Sequence, residues 1–388
     1  MKWNWPWTRP AARPRAPERK DAGGTGFVAL HAAGEARWTR RDYGGLAREG
    51  FMRNPIAHRS VRLIAQAASA VPWLLYEDEA ELAAHPLLDL LAHPNQRQAG
   101  SLFLEALYGH LLISGNAYVE LLDVGTRELH LLRPDRVTVE TDADGWPAAL
   151  VYRAGSARRM VALGSPPEGT ALHMALFHPL DDHYGFPPLE AAAAALDIHN
   201  AAARWNKALL DNSARPSGAL VYAPKDGGNL TEEQFDRLKA ELEEGYSGAS
   251  RAGRPLLLEG GLDWKAMSLS PKDMDFLEAK HSASRDIALA FGVPPMLLGI
   301  PGDATYSNYQ EANRALYRLT VLPLVARTAK ELSAWLSPLF GERLRLWYDA
   351  DQVDGLASDR EALWSRVGAA SFLTEDEKRQ AVGYGPRS

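Results

Sequence analysis

The sequence predicts an α+β chain with more than one domain, and three observations carry that prediction. At 388 residues the chain exceeds one minimal domain. Its apolar spacing is helical over residues 55–71 and 85–113, then changes to strand-like alternation over residues 117–177. Two long helix signals, 188–212 and 271–291, bracket a short strand-rich insert.

The elements follow in order. Ile56, Val61, Ile64, Ala68 and Val71 give a helix over 55–71, which Pro72 stops. The next segment, PWLLYE, reads as a short strand. His85-Pro86 opens a helix that Pro94-Asn95 breaks, and Ser101 is placed to cap the helix LFLEALYGHLLIS. Strands are expected at Ala117–Val124, Glu128–Leu132, Arg136–Thr141, Ala148–Arg153, Arg158–Leu163 and Ala171–Phe177. Pro187-Pro188 starts an alanine-rich helix to about residue 212, whose small side chains suit close helix packing. In the insert, Pro216–Tyr222 is a strand, and Thr231 with Gln234 forms a capping box. Pro255–Glu259 and Leu262–Leu269 read as a hairpin around Gly260-Gly261. Ser270-Pro271-Lys272-Asp273 opens the second long helix, and Gly292 with Pro294-Pro295 closes it. A loop from Gly299 to Asn308 leads into a third long helix over Tyr309–Leu336, with Ser307 and Gln310 as its cap. Pro323 cannot donate to Leu319, so it should kink that helix.

Composition and motif searches exclude most catalytic classes. There are no cysteines, which removes disulfide scaffolds, cysteine zinc sites and thiol chemistry. The net charge of −6 does not fit a basic nucleic-acid binder of the usual kind. No lysine follows a glycine, so there is no Walker A loop, and no histidine precedes glutamate, so there is no zincin helix. Gly245-Tyr246-Ser247-Gly248 has its second glycine one place early for a nucleophile elbow. The best uncharged run, between Arg62 and Glu77, contains Gln66 and Pro72 and falls short of the ~18 residues a membrane helix needs. Residues 1–26 combine Trp3, Trp5 and Trp7 with prolines and arginines, and read as a flexible basic arm. His173, His178 and Asp181 could supply metal or acid–base chemistry, but odd spacing puts the two histidines on opposite faces of a strand. Asp349, Asp351 and Asp354 imitate a calcium loop with one residue misplaced, which reads as an acidic turn. These searches leave no catalytic residue, metal site or cofactor expected.

Nine segments carry a resemblance, by their order rather than singly. They are HPLLDLLAHPN (85–95), LLISGNAYVELL (111–122), LHLLRPDRVTV (129–139), HYGFPPLEAA (183–192), ARPSGALVY (214–222), GRPLLLEGGLDW (253–264), DIALAFGVPPMLLG (286–299), ATYSNYQEA (304–312) and LTEDEKRQAVGYGP (373–386). In this order the chain resembles the portal proteins of long-tailed bacteriophages and prophages, over about residues 51–385. The short, alanine- and arginine-rich chain is also similar to portals of gene transfer agents.

The resemblance implies an architecture and a role. Residues 27–186 would be the wing, 187–212 and 271–291 two stem helices, and 213–270 an α/β clip. Residues 292–340 would hold the tunnel loop and a kinked helix, with a short crown at 341–388. The assembly would be a ring, of twelve subunits in family members, forming a channel for double-stranded DNA at one capsid vertex. Implied partners are further copies of the chain, duplex DNA, the terminase large subunit, a head–tail connector and the major capsid protein. The channel contacts would fall on Gly302, Asp303, Ala304, Thr305, Tyr306, Ser307 and Asn308, with the kink at Pro323. Glu241, Glu243 and Glu244 on the clip would face the motor and then the tail. The alternatives are a non-catalytic adaptor or scaffold, and an enzyme using carboxylates or histidines of the wing.

Overall fold

The computed structural model describes residues 38–123, 125–211, 218–222, 231, 233, 234, 236–238, 240, 262–266, 276–302, 306–341 and 343–384. For 208–211, 218–222, 262–266, 276 and 306 only the backbone is described.

The described chain opens with helical structure that the sequence pattern missed. The Asp42 carboxylate accepts from Gly45 N at 2.6 Å and caps a turn, α1 (Tyr43–Gly45), that runs into a π-helical segment, Leu46–Met52. Its glycines depress helix propensity, but Gly50 has a packing reason. A Cβ there would lie 3.0 Å from both Cδ atoms of Leu189. Helix α2 (Pro55–Ser69) begins at Asn54, whose side chain accepts from Ile56 N and Ala57 N. It buries Ala57, Val61, Ile64, Ala65 and Ala68.

Strand β1 (Trp73–Glu77) follows as expected, with a short β2 (Ala80–Glu81) beside it. Helices α3 (Pro86–Ala92) and α4 (Gly100–Ser114) then pack together. The expected Ser101 cap is displaced, because α4 starts at Gly100 after an Ala99 that makes no side-chain cap bond. Gly100 allows the close approach, since a Cβ would sit 2.2 Å from Leu91 O.

Six strands follow in two antiparallel sheets. The first has the order β4 (Arg127–Leu132), β3 (Asn116–Asp123), β8 (Ala171–Ala175). The second has the order β5 (Val137–Thr141), β6 (Pro147–Ala154), β7 (Ala157–Ala162). All six expected strands are present with shifted ends. Tyr118, Leu132, Val137, Leu150 and Val161 form a small core of their own between the sheets.

The alanine-rich helix is interrupted once, at Ala192, between α5 (Pro188–Ala191) and α6 (Ala193–Asp211). Helix α6 packs along α7 (Phe276–Ala290), with Leu196, Ala202, Ala283 and Ile287 buried. Small side chains at such a seam let helix axes approach. Beyond α6, β9 (Gly218–Tyr222) pairs antiparallel with β10 (Leu262–Ala266), from Leu262 opposite Tyr222 to Ala266 opposite Gly218. The expected hairpin partner Pro255–Glu259 lies outside the described residues. The Thr231–Gln234 capping box is present, with Thr231 N donating to Gln234 Oε1 at 3.0 Å and Gln234 N to Thr231 Oγ1 at 3.3 Å.

Helix α8 (Tyr306–Leu316), a π-helical turn (Tyr317–Val321) and α9 (Leu322–Phe340) make one long element. Val325, Ala329, Leu332, Trp335 and Leu336 of α9 lie in the main core, which also takes in α2, α4 and α7. Strand β11 (Leu344–Tyr348) returns to pair antiparallel with β1, Trp73 opposite Tyr348. The segment expected as a separate crown therefore contributes a strand to a sheet begun by residues 73–77. Helices α10 (Ala357–Ala369) and α11 (Glu375–Ala381) complete the described chain, the latter opened by a Thr374–Glu377 capping box.

Candidate functional site

The segment expected to form the channel loop leaves the core through a tight exit. A 3-10 turn, Pro295–Leu298, ends at Gly299 with φ 72°, a left-handed conformation that glycine adopts without strain. Ile300 then buries its side chain, and its N–H bonds Pro295 O at 3.2 Å. Arg285 of α7 donates from Nη2 to Pro301 O at 2.6 Å. Gly302 is exposed, and Asp303, Ala304 and Thr305 lie outside the described residues.

The far side of this loop differs from expectation. Helix α8 begins at Tyr306, three residues before the expected Tyr309, so Tyr306, Ser307 and Asn308 form its first turn. Ser307 is therefore inside the helix rather than its cap. The first four N–H groups of any helix lack intrahelical acceptors, so polar residues are well tolerated there. Ser307 and Asn308 are exposed.

At Pro323, where a kink was expected, the helix carries a π turn. Leu322 N bonds Tyr317 O, five residues back, and Pro323 follows without a donor. The π turn thus ends where the α-helical ladder would need the missing N–H. It presents Val321 to the core while Leu319 is largely exposed. Thr320 Oγ1 donates to Gly292 O at 2.8 Å, tying the turn to the end of α7. Gly292 has φ 64°, and a Cβ there would meet Thr320 Oγ1 at 2.8 Å. Arg314 on α8 is held by Glu311 and by Asp359 of α10, the latter at 2.5 Å. The positive charge nearest the loop on α8 is thus shared between two carboxylates.

Glu241, Glu243 and Glu244 lie outside the described residues. The alternative metal or acid–base cluster does not assemble. His173 Nε2 is 2.9 Å from Asn116 Oδ1, and its ring stacks on Tyr118 at 4.5 Å. Burial pushes its pKa down to about 4, which keeps it neutral. His178 instead accepts from Leu180 N at 3.0 Å, and Asp181 accepts from His183 N and Tyr184 N. No group of three His, Asp or Glu able to hold a metal occurs among the described residues. Nor is any described helix long and apolar enough to cross a membrane.

Two polar junctions were missed by sequence reasoning. In the first, buried Asn116 accepts from Gly185 N at 2.8 Å and donates to Ser114 O at 2.8 Å. Gly115 and Gly185 meet so closely that a Cβ on either would lie 2.3 Å or less from the other's carbonyl oxygen. Two of the nine segments, around Gly115-Asn116 and Tyr184-Gly185, are therefore one junction in space. In the second, fully buried Asn54 donates to Asn200 Oδ1 at 3.0 Å, and Asn200 donates to Glu49 O at 2.9 Å. This fixes α6 to the start of α2. Asn54-Pro55 is a legible cap signal, but the partner 146 residues away is not.

Comparison with known proteins places this geometry. The phage portal protein family matches residues 55–383. A chain in the neck of an empty gene transfer agent particle, computed with C6 symmetry, is 52% identical. It superposes with a TM-score of 0.73, covering 92% of this chain and 98% of that one. A chain in the neck of a native particle, computed with C12 symmetry, is 51% identical at TM-score 0.71, covering 92% and 98%. A protein of Rickettsia bellii is 43% identical over 86% of this chain and 88% of its own length. The probable portal protein of Streptomyces phage phiC31 is 26% identical over 84% of this chain and 74% of its own.

Proposed function

This chain belongs to the phage portal protein family, and from that premise we propose that it forms a ring-shaped channel at one capsid vertex, through which double-stranded DNA is packaged and ejected. The observation that carries this is the match over nearly its whole length to a chain in gene transfer agent necks of six- and twelve-fold symmetry. The same match supports a place in a virion or gene transfer agent particle.

In this reading residues 27–186 are the wing, and the paired helices α6 and α7 are the stem. The β9–β10 pair and the Thr231 capping box belong to the clip, over 213–270. The loop after Pro301 is the tunnel loop, and Pro323 with its π turn sets the direction in which α8 carries it. The clip docks the terminase large subunit and later the head–tail connector, the wing meets the major capsid protein, and the lumen contacts duplex DNA without base readout. The family's role is structural, and we assign this chain no catalysis. Energy for DNA movement then comes from a separate terminase ATPase, since the sequence has no P-loop.

The test is native mass spectrometry of the purified full chain, with negative-stain imaging. The expected result is a ring of about twelve subunits with a hole wide enough for duplex DNA. A compact dimer or tetramer without a hole would overturn the channel reading.

A further inference from the structure

A closed ring made of one kind of subunit needs two different patches on each chain, one fitting the other on its neighbour. Two apolar features of this chain have opposite shapes. One is a groove of about 610 Å³ between the Leu46–Met52 segment, α2 and α4. Tyr43, Phe51, Val61, Ala65 and Ile113 line it, and Met52 and Leu102 stand at its mouth 73% and 57% exposed. A cavity of that size accepts several large side chains. His110 lines the groove, within 3.2 Å of the Tyr43 hydroxyl. Burial holds its pKa down to about 4, so it adds no charge at neutral pH.

The other feature is a knob. Between β8 and α5 the chain turns through Phe177–Tyr184, leaving Phe177 81% and Leu180 91% exposed. This turn is held firmly. His178 accepts from Leu180 N and packs edge-on against Phe186 at 5.4 Å. Asp181 accepts from His183 N at 2.8 Å and Tyr184 N at 2.9 Å, and Tyr184 OH accepts from Val139 N at 3.0 Å. Two large apolar side chains are thus presented to solvent from a pre-organised backbone, the condition under which binding loses least entropy.

Charge distinguishes the two features as well. Arg62 and Glu105 line the groove, 3.9 Å apart, and the segments that frame it also carry Arg48, Arg59 and an Arg53 paired with Glu49 at 2.7 Å, so that cations outnumber carboxylates around it. The knob carries Asp181 and Asp182 and no lysine or arginine. Backbone bonds from His183 and Tyr184 hold the Asp181 carboxyl below its usual range, and so charged. An acidic knob approaching segments of net positive charge is favoured in orientation and rate.

We propose that the Phe177–Asp182 turn of one subunit seats in the Tyr43–Phe51–Leu102 groove of the next copy of this chain, as a repeated head-to-tail contact around the ring. This rests on the channel reading above, and it adds which surfaces close the ring.

The absence of cysteine makes the test clean. The full chain carrying L102C and L180C together is assembled and treated with a short bismaleimide, with each single variant as control. The expected result is a denaturing-gel ladder rising through successive multiples of the subunit mass, while both single variants run as monomers. Rings that form but give no ladder overturn the docking and leave the channel reading intact. Dimers from either single variant also overturn it, because they mark a two-fold contact. As a second arm, Leu180→Glu should keep the wild-type circular dichroism and melting temperature, since the side chain is exposed, while lowering the ring fraction at least tenfold. An unchanged ring fraction overturns the docking. Wild-type chain that forms no ring fails the channel reading itself, and the docking with it.

Discussion

At the scale of single residues, Asn116 does the most with the least surface. From the first position of β3, its carboxamide joins the end of α4, His173 on β8 and the backbone at Gly185. Replacing it by alanine leaves Gly185 N and Ser114 O without that partner in a buried place, which costs about 2–3 kcal/mol. Asn116→Ala should lower the urea midpoint accordingly, and a loss below about 0.5 kcal/mol would mean that water replaces the amide. The two buried imidazoles make a separate prediction. His110 and His173 have folded pKa values near 4, below the ordinary value of 6.5, through burial. Above pH 6.5 both are neutral folded or unfolded and stability does not depend on them. As pH falls from 6.5 toward 4 the unfolded chain takes up protons that the folded chain refuses, so stability declines. Each imidazole contributes a decline of order 3 kcal/mol by pH 4. Urea midpoints measured from pH 7 to 4.5 should fall, and His110→Gln or His173→Gln should each flatten the fall. A midpoint that does not move across this range would show that neither ring resists protonation.

At the scale of elements, the joint between α7 and the π turn is where the fold departs furthest from its local pattern. Gly292 stands at φ 64°, a conformation costing an alanine about 1–2 kcal/mol, and an added Cβ would also strike Thr320 Oγ1. Gly292→Ala should therefore destabilise by more than the backbone term alone. Thr320→Ala, which loses the bond to Gly292 O, should cost about 1 kcal/mol. The double variant should be more stable than the sum predicts, because the hydroxyl that the methyl strikes is gone. Strict additivity in a denaturation cycle would show that the joint is not strained at this contact.

The same joint shows what the sequence could and could not reveal. Proline chemistry pointed to Pro323, where the π turn ends, and the glycine–proline run pointed to the end of α7, because both effects are local. The start of α8 was misplaced by three residues, since Ser307 and Asn308 read as loop and cap. They sit instead in a first turn that tolerates them. Strands β3 to β8 were legible through alternation and their turn residues. The pairing of β1 with β11 was not, because nothing near Trp73 encodes a partner some 270 residues on. The Tyr43–Met52 stretch was hidden by glycines, one of which, Gly50, answers to a leucine far along the chain. Of the candidate site, Gly302, Ser307, Asn308 and Pro323 fall on described residues, with the backbone of Tyr306. The portal reading itself came from the order of nine segments, and it is supported by the family match.

At the scale of the whole molecule, the design problem is to enclose duplex DNA without holding it. Lysine and arginine neutralise phosphates and release counterions, so a lumen rich in them would trap its cargo. The chain is acidic overall, and the Gly299–Asn308 segment contains one aspartate and no lysine or arginine. Arg314, on the helix that carries the loop, is already engaged by Glu311 and Asp359. In the channel reading the loop then touches DNA by shape and weak polar contacts, and replacing Ala304–Tyr306 by Gly-Ser-Gly should lower the DNA content of particles while rings still form. Equal filling would remove the loop from the mechanism. In the same reading the proposed clip has the opposite requirement, since its surface would bind and later exchange protein partners. Glu241, Glu243 and Glu244 give it local negative charge, which steers a basic partner into register more than it adds affinity. Reversing all three to lysine should therefore slow docking of the motor and the connector, and the defect should shrink as salt screens the surface. Ring mass should be unchanged, because the reversal leaves the wing and stem intact. Docking at the wild-type rate in low salt would show that the three glutamates take no part in docking. The partners would then have to be recognised by the β9–β10 side of the clip.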